Sequence, residues 1–167
     1  MKIRGRNIGR RLQLLGNRLS RIKHRKGHGV HSPFVYALVR KVFMNKGLFE
    51  GTGSELYDEL RKEGMSTKSA RQLHNLIPHI EAKGYSINKV EGEVSILLPN
   101  YPADGFREAL EVAKAKGVTL VVCHPYADRK RQNEVQALLD EHRSTSVDNR
   151  TYILFFNNYL PKQHYRL

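Results

Sequence analysis

The chain has 167 residues, enough for one domain with its own hydrophobic core and no dependence on disulfides or metals. Its 29 Lys and Arg against 16 Asp and Glu give a formal net charge of +13, and its single cysteine, Cys123, excludes an intramolecular disulfide and fits a reducing, cytoplasmic setting. No stretch approaches the ~20 consecutive apolar residues that span a bilayer, and the basic start lacks the unbroken apolar run of a secretory signal.

The charge is concentrated at one end. Residues 1–31 hold ten basic residues (Lys2, Arg4, Arg6, Arg10, Arg11, Arg18, Arg21, Lys23, Arg25 and Lys26) and no acid. The other 136 residues carry nineteen basic and sixteen acidic side chains. Within this basic arm, Leu12, Leu15, Leu19 and Ile22 form an apolar stripe at helical spacing, with arginines around it. Gly5, Gly9 and Gly16 each weaken such a helix by about 1 kcal/mol relative to Ala. A helix of this kind suits a phosphate backbone, as in RNA, or an anionic membrane surface, although its apolar face lacks Trp and Phe. The lysines and the scarcity of Ser argue against an organellar presequence. The alternative is a capping helix packed on the domain with its charges solvated. His24, His28 and His31 share a helical spacing, but Gly27 and Gly29 interrupt it and no carboxylate or thiolate completes a set, so no metal is expected.

From residue 32 the pattern is that of a folded domain. Ser32-Pro33 supplies an N-cap and a first-turn proline for a helix reaching about Met44, with Phe34, Val35, Leu38, Val39, Val42 and Phe43 apolar. Thr52-Gly53-Ser54-Glu55 has capping-box spacing for a helix carrying Leu56 and Leu60, which Gly64 ends. Ser66 or Thr67 caps the next helix, over 67–83, with Pro78 as a kink and Gly84 as its stop. Residues 94–98 and 118–123 are apolar without alternation, as in parallel strands buried on both faces, and a helix over 104–116 joins them. A helix over 128–142 follows, and then a hairpin of strands 145–148 and 152–156 turned at Asp148-Asn149-Arg150. Residues 162–167 suit an edge segment. Cys123, beside Val121 and Val122, reads as an inert core thiol rather than a nucleophile.

Three segments carry a family resemblance. Gly29-Val30-His31-Ser32-Pro33-Phe34-Val35-Tyr36 resembles the start of a group of bacterial class I methyltransferase-like proteins that use S-adenosylmethionine. Gly64-Met65-Ser66-Thr67-Lys68-Ser69-Ala70-Arg71 is similar to the helix these proteins place before their first strand. Tyr152-Ile153-Leu154-Phe155-Phe156, with Lys162-Gln163-His164-Tyr165, is similar to their closing hairpin and tail. The resemblance implies a Rossmann-like sheet in which a glycine-rich turn after the first strand and an acid after the second hold the donor. This chain departs from it: the helix at 67–83 leads almost directly to 94–98, so only the later strands are expected. Phe49-Glu50-Gly51-Thr52-Gly53-Ser54 imitates a donor loop, but no buried strand enters it, and a lone Gly-x-Gly is weak.

The expected architecture is therefore α/β: a basic helical arm (1–31), a helical region (32–90) and a small half-Rossmann region (91–167), compact overall, with about four strands. Two would be parallel and two would form the C-terminal hairpin. Open α/β sheets bind ligands beyond the carboxyl ends of their strands. Asn100, Tyr101 and Asp104 follow the first strand, and His124, Tyr126 and Asp128 the second, making a candidate vestigial pocket. His124 belongs to the residue type most often used for proton transfer. However, His124-Pro125 stands where active members of the family carry an acid. No catalytic residue is assigned and no cofactor is expected.

Three functions fit these features. The first is a non-catalytic methyltransferase-like binding or scaffold module. The second is a protein binding nucleic-acid backbone, RNA above all, through Arg4, Arg6, Arg10, Arg11, Arg18, Arg21, Lys23, Arg25 and Lys26. The third is a methyltransferase whose site, and S-adenosylmethionine binding, a partner chain completes.

Overall fold

A computed structural model describes residues 32–51 and 55–167. The basic arm, its stripe and histidines, and the Thr52–Ser54 part of the capping box lie outside the described residues. Helix α1 (Pro33–Ala37) starts as the sequence dictates, with Ser32 Oγ accepting from Val35 N at 3.3 Å and Pro33 in the first turn. It continues as a π-helix over Leu38–Phe43, in which Met44 N donates to Val39 O, five residues back. Helix α2 (Leu56–Lys62) buries Leu56 and Leu60. Its capping position is Glu55, whose side chain makes no cap bond to a described residue. Gly64, at φ +81°, terminates it as expected.

Helix α3 (Thr67–His79) is capped by Ser66, whose Oγ accepts from Ser69 N at 3.1 Å. It stops five residues short of Gly84. Pro78 sits in its last turn, and Glu81, not a glycine, takes the left-handed conformation at φ +57°. The apolar face of α3 packs on the core, while three buried polar side chains secure the preceding loop. Gln72 Nε2 donates to Phe43 O, His74 Nε2 lies 2.9 Å from Phe49 O, and Asn75 bonds both Gly47 O and Phe49 N.

The sheet has six strands rather than about four: β1 (Tyr85–Ile87), β2 (Val94–Leu97), β3 (Thr119–Cys123), β4 (Thr145–Asp148), β5 (Tyr152–Phe155) and β6 (Gln163–Arg166). Their spatial order is β1-β2-β3-β5-β4-β6. Strands β1, β2 and β3 are mutually parallel, β5 runs antiparallel between β3 and β4, and β6 adds to β4 in parallel. The hairpin and the C-terminal edge segment are present as the sequence predicts. Strand β1 is the unexpected one: it lies inside the 32–90 span read as helical, and its three residues are too few to show a period.

Helices α4 (Phe106–Lys116, entered through a 3₁₀ turn at Ala103–Gly105) and α5 (Arg129–Glu141) complete the fold. Alternation along the central strands sorts the core into two layers. Ile96, Val121, Cys123, Tyr152 and Leu154 join the cluster with α1–α3, while Leu97, Leu120, Val122, Ile153 and Phe155 join the one with α4 and α5. Each fully buried Leu, Ile or Phe contributes about 1.5–3 kcal/mol. Cys123 is buried, and that burial pushes its thiol up to about 12, consistent with an inert packing role.

Only residues 88–93 join β1 to β2, although parallel neighbours usually need a crossover of about a dozen residues. Ser86 Oγ makes the short return feasible: it accepts from Glu91 N and Gly92 N and donates to Lys89 O at 2.7 Å. The returning chain then lies on β1 itself, since a Cβ at Gly92 would stand 2.5 Å from the backbone carbon of Tyr85. Gly92→Ala should therefore cost about 3 kcal/mol in urea unfolding, whereas Gly84→Ala, with no atom within 4 Å, should cost far less.

Candidate functional site

The carboxyl ends of β2 and β3 are where an open α/β sheet would hold a ligand. Asp128 begins α5 there as its N-cap, with Oδ1 accepting from Arg131 N at 2.8 Å. The Arg131 side chain then fills the gap between the two strand ends and is only 4% exposed. Its guanidinium has five N–H donors, and each meets a backbone carbonyl. Nε donates to His124 O (3.3 Å), Nη1 to Pro99 O (3.1 Å) and Tyr101 O (2.7 Å), and Nη2 to Leu98 O (3.4 Å) and Cys123 O (2.8 Å). The Phe106 ring lies 4.6 Å from the guanidinium carbon, within cation–π range. Burial lowers the Arg131 pKa, opposed by the nearby Asp128 carboxylate.

The six candidate pocket residues surround this plug, and their polar groups go to separate partners. Asn100 Oδ1 accepts from Asn88 Nδ2, tying the end of β2 to the end of β1. Tyr101 gives its carbonyl to Arg131 and stacks its ring on Phe106, with centroids 6.1 Å apart. Asp104 is exposed and paired with Lys130 at 3.2 Å, a contact that holds its carboxyl below the usual range. The His124 side chain is exposed, while its backbone, at φ +47°, donates to Thr151 O and accepts from Ala127 N and Arg131 Nε. Tyr126 turns away toward β4 and donates to the buried Asp148 at 2.6 Å. Asp128 is consumed as the cap of α5.

Arg131 is the residue that sequence reasoning passed over. Its signal was the run Arg129-Lys130-Arg131 in the first turn of a helix with no acid there. Cations at that end oppose the helix dipole, so one of them needed another source of stabilisation. Among the described residues no group of His, Cys, Asp or Glu could hold a metal ion, and no helix is long and apolar enough to cross a membrane. No family model, curated protein or solved structure matches the chain.

Replacing Arg131 strips five carbonyls, those of Leu98 and Cys123 in buried bonds, of a charged donor. Arg131→Ala should lower stability by about 3 kcal/mol or more, and Arg131→Lys should recover only part of the loss, because an ammonium cannot span both strand ends. Paired urea melts of the two variants check this.

Proposed function

We propose that this protein is a non-catalytic methyltransferase-like module that works by binding or scaffolding in the cytoplasm. The observation that carries the reading is Arg131. Its guanidinium takes the carboxyl-edge position of β2 and β3 and is bonded to five backbone carbonyls there. Strand β1 supports the same reading. In the family that the chain resembles, the first strand runs into a glycine-rich donor turn. Here β1 runs into Asn88, at φ +55°, whose side chain bonds Leu98 N and Asn100 and draws the turn back onto β2. The whole connection to β2 is residues 88–93, too short for a donor loop followed by a crossover helix. The residues present do not fit S-adenosylmethionine.

Isothermal titration of the full chain with S-adenosylmethionine should give no saturable heat. Micromolar binding by the chain alone would sink the proposal. Binding that arises only in the presence of a second protein would favour the partner-completed methyltransferase instead.

The charge distribution favours one further activity for such a module, namely contact with nucleic-acid backbone through the arm. Residues 1–31 concentrate ten cations with no acid, and phosphate contacts of that kind are salt-dependent and indifferent to base sequence. RNA affinity should fall steeply with salt, and deletion of residues 1–26 should abolish it. Equal binding by the truncated and full chains would remove the arm from that role.

A further inference from the structure

A second concave surface lies on the other face of the sheet, apart from Arg131. It is a cleft of about 450 Å³ between the π-helical segment of α1, the first two turns of α3 and the β4–β5 turn. That volume lies within the range of small-molecule sites. Val39, Phe43 and Met44 form an apolar wall, and Gln72, Asn149 and Thr151 line the polar side.

These three polar side chains are already committed. Gln72 donates to Phe43 O and accepts from Asn149 Nδ2 and from the Tyr152 hydroxyl, and Asn149 Oδ1 accepts from Thr151. The two charged residues of the cleft, Lys68 and Arg150, are both exposed, and neither is ion-paired with a described residue. No Asp or Glu lines the cleft, and Leu167, the last residue of the chain, completes its lining. Lys68 also stands in the first turn of α3, whose dipole favours a negative charge nearby.

Two backbone features meet here. The π-helix is a rare geometry that recurs at functional sites. Arg150 occupies the left-handed position of the three-residue turn at φ +75°, where glycine or asparagine would sit without strain. Its amide is held by Asp148 Oδ1 at 2.7 Å, so the turn imposes this conformation whatever side chain stands there. Arg150 thus presents its guanidinium at the cleft from a position that glycine would occupy with less strain.

We propose that the cleft binds a small organic phosphate monoester, with the phosphate between Lys68 and Arg150 and the apolar body against Phe43, Val39 and Met44. Two unpaired cations match the near-dianionic charge of a phosphate monoester at neutral pH better than the single charge of a carboxylate. The apolar wall calls for more than inorganic phosphate.

Phenyl phosphate, inorganic phosphate and phenol are titrated separately into the isotope-labelled full chain and followed by amide chemical shifts. Phenyl phosphate should saturate the signals of Asn149, Arg150, Thr151 and Lys68, and should bind about tenfold more tightly than either of the other two. Lys68→Ala and Arg150→Gly should each weaken it by about tenfold. Arg150→Gly should meanwhile keep or raise the melting temperature, which separates loss of the ligand contact from loss of the fold. Shifts confined to residues 1–31, phenol binding as tightly as phenyl phosphate, or unchanged affinity in Arg150→Gly would each overturn the proposal. It is independent of the non-catalytic reading, because S-adenosylmethionine binding would overturn that reading and leave this cleft untouched.

Discussion

The Arg131 guanidinium ties together the ends of β2 and β3 and the start of α5 at the carboxyl edge of the sheet. Parallel strands end in carbonyls, and Arg131 supplies the donors for five of them at and just beyond the ends of β2 and β3. Water or a ligand usually meets that need in open α/β sheets; here a side chain from the first turn of α5 does so. A buried arginine without a bonded carboxylate is expensive to desolvate. Five carbonyl dipoles, the Phe106 face and the nearby Asp128 cap together offset that cost. The arrangement also explains why α5 tolerates three cations at its positive end: Asp128 caps the backbone, Lys130 reaches Asp104, and Arg131 leaves the helix for the strands.

The two sides of the sheet use polarity differently. On the α4–α5 side, one charged group closes the strand ends. On the α1–α3 side, neutral amides do the work: Gln72 and Asn75 fasten residues 43–49 to α3, and Gln72 continues through Asn149 to the β4–β5 turn. A fully bonded amide network rigidifies without the desolvation cost of a charge. At its rim stand two exposed cations, Lys68 and Arg150, although residues 32–167 carry nearly balanced charge.

Much of the site was legible only as a location. The ends of β2 and β3 follow from two apolar runs, and Asn100, Tyr101, Asp104, His124, Tyr126 and Asp128 all do lie at or near that edge. Their roles were not legible, because each depends on what faces it across the sheet. Asp128 looks like an acid beside a histidine until α5 is seen to begin at it. Tyr126 looks like a neighbour of His124 until its hydroxyl is found on Asp148, 22 residues later.

By itself the sequence determined the elements whose causes are local. Ser32-Pro33, Ser66 and Gly64 set helix ends through their own backbone and hydroxyl chemistry, and unbroken apolar runs specified β2 and β3 as buried strands. Asp148-Asn149-Arg150 specified the hairpin turn. The tertiary structure decided whatever depends on a distant partner. Strand β1 exists because β2 lies beside it and Gly92 lets the chain return across it; β6 is polar and exposed, and it is a strand only because β4 offers it a ladder. The occupant of the carboxyl edge belongs to the same class. A guanidinium in a helix's first turn carries no local sign that five carbonyls from two strands will converge on it, since those carbonyls come together only when the sheet and α5 have packed.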